Sequence, residues 1–245
     1  MPAYFVTGTD TDAGKTLAAT GLLARARRAG LTTLGLKPVA SGSEATPEGL
    51  RNADALALQD QSRPAVDYAT VNPYAFAPAI APHLAAQRTE VEVGLANLSD
   101  WLRPLLALER DLTLVEGAGG WRVPLNARED LAGLAAAHAL PVILVVGLRL
   151  GCISQARLTA EAIAADGLRL AGWIGSLVEP GLSFDAAADD TLYRDNLATL
   201  ASTLPAPCLG VIPRLPAGTP LAMADSAASC LELPPTKLDT RTYSN

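Results

Sequence analysis

The chain has 245 residues, 49% of them apolar, enough for one α/β domain with a well-buried core and near the upper end of single-domain length. Acidic residues outnumber basic ones 25 to 19, giving a formal charge of -6. No basic cluster exceeds the short "RARR" of residues 25–28, so nucleic acid and anionic membrane are poor partners.

In chain order, "YFVTG" reads as a first strand, followed by a helix that starts near Gly14 and stops at Gly30. "TTLGLKPV" is a second strand. "DLTLVEG" (111–117), "PVILVVG" (141–147), "LRLAGWIGSLV" (168–178) and "CLGVIP" (208–213) continue the series. Helical patterns lie between them, near 92–109, 129–139, 153–166 and 190–203. Several strands are apolar on both faces, which predicts a mostly parallel central sheet with helices on both faces. Residues 62–83 are proline-rich and break the alternation. Residues 1–215 read as one nucleotide- and substrate-binding α/β domain, and 216–245 as an irregular segment of it.

The stretch "LAGLAAAHALPVILVVG" contains His138 and Pro141, so it reads as helix, turn and buried strand and not as a membrane span. With no basic, cleavable leader before "AYFVTG", a cytoplasmic protein is expected. Cys152, Cys208 and Cys230 have neither a disulfide framework nor metal-ligand spacing. His83 and His138 read as structural, and the three tryptophans as packing residues.

In a parallel sheet, ligands sit beyond the carboxyl ends of the strands, and the chemically interesting residues fall there. "GTDTDAGKT" (8–16) follows the first strand and opens a helix, the context of a phosphate-binding loop. Gly8 and Gly14 enclose five residues where the common pattern has four, so the loop is a variant. Lys15 is placed to neutralise an anion and the Thr16 hydroxyl to reach a metal ion. Glu116 ends a strand ahead of the small-residue run "GAGG". Asp54, early in a helix, reads on its own as a surface carboxylate. Lys37 ends the second strand beside Pro38 and Ser41, where it can stabilise charge on a transferring phosphoryl group. "LRLGCIS" leads through Gly151 into another helix. Its first N–H groups, at Cys152, Ile153 and Ser154, suit a carboxylate, although plain N-capping by Ser154 or a neighbour explains the start equally well.

Taken together, "YFVTGTDTDAGKT", "KPVASGSE", "TPEGLRNADALAL", "DYATVNPYAF", "LVEGAGGW", "LPVILVVGLRLGCIS", "LAGW" and "GVIPRL" resemble the dethiobiotin synthetases over nearly all of residues 4–215. The five-residue gap of the phosphate loop is a feature of that family. The resemblance implies a P-loop NTPase-like fold and an ATP- and Mg²⁺-dependent ligase closing a cyclic urea. Its implied substrates are 7,8-diaminopelargonic acid, CO₂ and ATP. Implied metal ligands are Thr16, Asp54 and Glu116. Lys15 and Lys37 would bridge γ-phosphate and carbamate, with Thr11 and Ser41 orienting the diamine. Nucleotide contacts carried over are Asp12, Ala13, Gly14, Leu17, Gly117, Ala118, Gly119, Ser176, Leu177, Pro213, Arg214 and Leu215. A homodimer is implied, with the substrate carboxylate docking at Gly151–Ser154 of a partner subunit and meeting a tyrosine, for which Tyr193 is the candidate.

Three positions depart from the family pattern. Asp12 stands where many members have glutamate, Ser154 where asparagine is common, and Ser176 with Leu177 where an asparagine often reads adenine. A serine hydroxyl cannot make the paired donor–acceptor contact of an amide, so a weakened preference for ATP is expected. Two other readings remain open here. One is an amide-forming ligase of the cobyrinic acid type, which would need a glutaminase domain. The other is a partition-type nucleotide switch, which would carry an extra lysine early in its loop.

Overall fold

The computed structural model describes residues 3–178 and 191–235, with side chains from 193 onward in the second stretch. In chain order its elements are β1 (Ala3–Gly8), α1 (Lys15–Arg28), β2 (Thr33–Leu36), β3 (Val39–Ser41), β4 (Glu44–Thr46) and β5 (Gly49–Arg51). Then come α2 (Ala53–Asp60), α3 (Tyr68–Val71), β6 (Tyr74–Phe76), α4 (Pro82–Arg88), α5 (Leu95–Leu106) and β7 (Leu112–Glu116). The rest are α6 (Ala132–Ala137), β8 (Val142–Leu148), α7 (Cys152–Ala165), β9 (Leu170–Leu177), α8 (Thr191–Thr203), β10 (Cys208–Ile212) and α9 (Pro220–Ala228).

Six strands form one sheet in the order β10-β9-β8-β1-β7-β2, every pair parallel. Its strands read as continuous apolar runs because helices cover both faces. Alternate residues serve opposite layers. Tyr4 and Val6 of β1, with Ile143 and Val145 of β8, pack toward α1, α2 and α9. Phe5, Val142, Leu144 and Val146 pack toward α5, α6, α7 and α8. The chain runs outward from β1 to β2, returns to β7, and then builds β8, β9 and β10 on the other side. The carboxyl ends of β1, β2 and β7 are thereby brought together near this reversal, where open α/β sheets place their ligands.

The proline-rich stretch is not a featureless interruption. Arg63 exchanges two backbone hydrogen bonds with Thr33, at 2.8 and 3.0 Å, Ser62 accepts from the Gly35 N–H, and Val71 accepts from the Lys37 N–H at 2.8 Å. These residues cover the outer edge of β2, whose unpaired backbone groups would otherwise be left open.

The expectation of an irregular segment over 216–245 gives way to a helix within 216–235, and residues 236–245 lie outside the described residues. Thr219 caps α9 through a 3.3 Å bond to the Ala222 N–H, and Pro220 takes the first helical position. The helix lies on α1 so closely that a Cβ on Gly21 would stand 2.8 Å from that of Ala227. Alanines carry this contact, so the segment shows little of the periodic apolar signal that marks a helix in sequence. Beyond α9, Leu231 bridges to Gly210 and the Glu232 N–H bonds the Leu209 carbonyl, covering the edge of β10. Among the described residues, no helix is long and apolar enough to cross a membrane.

Candidate active site

The phosphate loop leaves β1 at Gly8 and turns through two left-handed residues, Asp12 (φ 59°) and Gly14 (φ 88°). Gly14 is the N-cap of α1 and, lacking a side chain, leaves the helix start uncapped; no acidic residue lies in the first turn. The helix dipole and open N–H groups therefore face the cleft and favour an anion. Ala13 is fully buried beneath the loop, against Gly147 of β8. Lys15 folds back so that its Nζ donates to the Asp10 carbonyl at 3.0 Å, and Asp10 is itself paired with Arg149. Burial, helped by the Lys37 charge and opposed by nearby carboxylates, lowers the Lys15 pKa to about 8.

Lys37 leaves the end of β2 and lies among oxygens. Its Nζ donates to Glu116 Oε1 at 2.6 Å, to Asp54 Oδ2 at 3.1 Å and to the Gly117 carbonyl at 3.2 Å. The Thr16 hydroxyl donates to the same Glu116 oxygen at 2.8 Å. Glu116 is fully buried at the end of β7, and Lys37 is 4% exposed. Burial alone would lower the Lys37 pKa, but the two carboxylates override it and hold the ammonium above its usual value. Burial likewise opposes ionisation of Asp54, yet the Lys37 charge keeps that carboxyl below the usual range. The lone acid of "LRNADALAL" is thus tied to the site by its pairing with Lys37.

One cleft of about 1190 Å³ is lined by Thr11, Asp12, Gly14, Lys15, Thr16, Leu17, Lys37, Ser41, Asp54, Ala118 and Gly119, all expected from the sequence. Ser41 Oγ is buried there without a hydrogen-bond partner. Gly117 lies behind the wall, where a Cβ would meet the Phe5 ring at 3.0 Å. Sequence reasoning missed the opposite wall, formed by Val39 and Ala79 to Pro82 on one side and Val123 with Pro124 on the other. It also missed Asp10 and Asn52. Asn52 had a readable signal, being an N-cap type directly ahead of a helical pattern.

Several expected residues are not among those lining this cleft. Ser176 is buried behind the phosphate loop, so near that a Cβ on Gly14 would stand 2.4 Å from its Oγ, and Leu177 is a core residue. Tyr193 is 5% exposed, packed in the core and not among the residues lining this cleft. Pro213, Arg214 and Leu215 follow β10, also outside that lining. Gly151 to Ser154 open α7 outside it as well. No side chain caps that helix, contrary to the N-cap expectation, and the Cys152 N–H is used by the Arg149 carbonyl at 3.0 Å.

A family model described as an AAA domain matches residues 2–221. The chain is 69% identical to the ATP-dependent dethiobiotin synthetase BioD of Chromohalobacter salexigens, over 96% of this chain and 99% of that one. It is 61% identical to the enzyme of the same name from Pseudomonas aeruginosa, over 91% of this chain and 95% of that one. The chain belongs to the dethiobiotin synthetase family. Solved P-loop proteins at low identity share its fold alone. MinD of Aquifex aeolicus aligns with a TM-score of 0.55 at 14% identity, covering 93% of this chain and 87% of that one. A ParA family ATPase from Chlorobium tepidum aligns at 0.53 and 13%, covering 94% and 90%. The fold is thus that of the P-loop NTPases, and the synthetase family is set by sequence.

Among the described residues, no three His, Cys, Asp or Glu side chains gather as a metal cluster. Asp54 and Glu116 with the Thr16 hydroxyl are nevertheless a hard-oxygen set of the kind Mg²⁺ accepts when it keeps waters and phosphate oxygens. Glu116 Oε2 is buried with no hydrogen-bond partner, an acceptor available to a cation. The residues fit the metal.

Proposed function

We propose that this ATP-dependent, C–N bond-forming ligase closes the cyclic urea of dethiobiotin from 7,8-diaminopelargonic acid and CO₂, working in the cytoplasm. The observation that carries the reading is the meeting of Lys15, Lys37, Thr16 and Asp54 around one cleft, with the Glu116 carboxylate buried behind it on Lys37 and Thr16. An amine lone pair of the diamine attacks CO₂ and forms a carbamate after losing a proton. The carbamate oxygen takes the γ-phosphoryl group of ATP, and ADP leaves. The second amine then attacks the carbamic carbon of this mixed anhydride, the C–O bond breaks, and phosphate departs with the ring closed.

Each step gathers anions, and the residues do so by charge and position without an enzyme nucleophile. Lys15 and the open start of α1 hold the triphosphate. Lys37, already ionised, neutralises charge shared by carbamate and γ-phosphate. Thr11 and the unpartnered Ser41 hydroxyl orient the diamine. Mg²⁺ held by Thr16, Asp54 and Glu116 would screen the phosphate oxygens. The apolar wall around Ile80 and Val123 suits the aliphatic stem of the substrate.

The start of α7 is outside this cleft, and Leu150 and Leu158 beside it are 88% and 63% exposed. These two side chains support a homodimer in which Gly151–Ser154 of a second copy receives the distant carboxylate. The test is a coupled phosphate-release assay with ATP, Mg²⁺, bicarbonate and the diamine, each left out in turn. Phosphate and dethiobiotin should appear together and only in the complete mixture. Hydrolysis indifferent to the diamine would overturn the reading in favour of a nucleotide switch.

A further inference from the structure

The proline-rich stretch 62–83 does more than cover the edge of β2, because its polar side chains reach the Lys37 backbone directly and, through Asn52, the backbones of Ser41 and Asp54. Asn72, 4% exposed, donates from Nδ2 to the Lys37 carbonyl at 2.6 Å, while the Lys37 N–H is held by Val71. Asn72 Oδ1 accepts from the Tyr68 hydroxyl at 2.9 Å. That hydroxyl oxygen in turn accepts the Asn52 N–H at 2.8 Å. Asn52, 6% exposed, donates from Nδ2 to the Ser41 carbonyl at 3.2 Å. Its Oδ1 accepts from the N–H groups of Asp54 and Ala55 at 3.0 and 3.2 Å, fixing the start of α2. The Tyr68 ring is itself held under the Arg51 guanidinium, 4.4 Å from the ring centroid.

One hydrogen-bonded chain, Asn72–Tyr68–Asn52, thus links the backbones of Lys37, Ser41 and Asp54. These residues come from three separate segments and have no common secondary-structure element to fix their spacing. Buried amides with every polar atom engaged hold position more tightly than apolar packing, because a shift leaves a donor or acceptor unpaired. We infer that Asn52, Tyr68 and Asn72 are positioning residues for the reaction. They hold the lysine that neutralises the transferring group, the serine at the diamine and a metal carboxylate in one register. The inference rests on the function proposed above. The phosphate loop stands outside this brace, so the ADP portion of the nucleotide should be held independently of it, while the γ-phosphate end shares Lys37 and Asp54 with the diamine.

Two variants test it. Tyr68→Phe deletes the shared hydroxyl and keeps the ring under Arg51. Asn52→Ser keeps an oxygen that can cap α2 but lacks the amide that reaches Ser41. Steady-state kinetics are measured for the full-length enzyme, with rates expressed per ATP-binding site so that unfolded protein does not count. Losing one such bond should cost Tyr68→Phe about five- to tenfold in kcat. Asn52→Ser should raise KM for the diamine by a similar factor, with the Kd for ADP, measured by calorimetry without Mg²⁺, staying within about twofold in both. Wild-type values of kcat and diamine KM in both variants would overturn the inference, even with a lowered melting temperature, as would an equal loss of affinity for ADP. A wild-type protein that makes no dethiobiotin would instead sink the functional reading, so the two failures are distinguishable.

Discussion

Substituting Lys37 by methionine keeps the stem and removes the ammonium. What remains is the Glu116 carboxylate, fully buried and deprived of a cation at 2.6 Å, with the Thr16 hydroxyl as its side-chain donor. Breaking a buried pair by removing one partner costs about 3–5 kcal/mol. The Asp54 arm adds little, since that side chain is 44% exposed and such pairs are worth at most about 1 kcal/mol. Water in the adjoining cleft softens the loss, which places Lys37→Met near 3 kcal/mol, the low end of that range. At a urea dependence of about 3 kcal/mol per molar, the unfolding midpoint should fall by about 1 M. Adding Glu116→Gln removes the orphaned charge and should recover at least about half of the loss while leaving the enzyme inactive. Urea titration followed by tryptophan fluorescence, without nucleotide, reads both. A single variant as stable as wild type, or a double variant no better than the single, would refute the reasoning. Lys37→Ala is a poorer activity probe, because it combines this charge effect with a lost stem.

The pH profile should report Lys15. Its folded pKa of about 8 lies below the ordinary 10.5, so the native state releases this proton first and the stability from this residue rises with pH between those values. Binding runs the other way: kcat/KM for ATP should fall along an alkaline limb near pH 8, and the limb should move out of range in Lys15→Arg. A limb unchanged in that variant assigns it to another group. Gly14→Ala combines a φ of 88° with a Cβ 2.4 Å from Ser176 Oγ. It should weaken binding of a non-hydrolysable ATP analogue at least about tenfold by calorimetry, and adding Ser176→Ala should restore only part, since the backbone strain stays. With Ser176 turned to the phosphate loop and no amide at that position, the ratio of catalytic efficiencies for ATP and CTP should be lower than in an asparagine-bearing relative. Equal ratios would remove that argument.

The strands of the main sheet were legible because they are apolar on both faces, and so were the helices among them. Lys15 was legible from the Gly-Lys-Thr run between a strand and a helix, Lys37 from its place at a strand end beside that loop, and Glu116 because ionised side chains at strand ends seldom arise from packing alone. Three features were hidden for physical reasons. The helix α9 buries alanines against alanines, which gives no apolar stripe to read. Residues 62–83 contribute through backbone pairing with β2 and through amide side chains, and neither leaves a period in the sequence. Tyr193 and Ser176 fall at the expected places along the chain, but their direction depends on which layer their element faces, and spacing does not encode that.

A sheet with Arg63 along one border and Leu231 along the other has no vacant row of backbone groups to offer a neighbouring strand. Among the described residues, strand addition to this main sheet is blocked at both borders. The homodimer proposed above would then meet through side chains such as Leu150 and Leu158, where a single introduced charge should separate the copies without disturbing either fold.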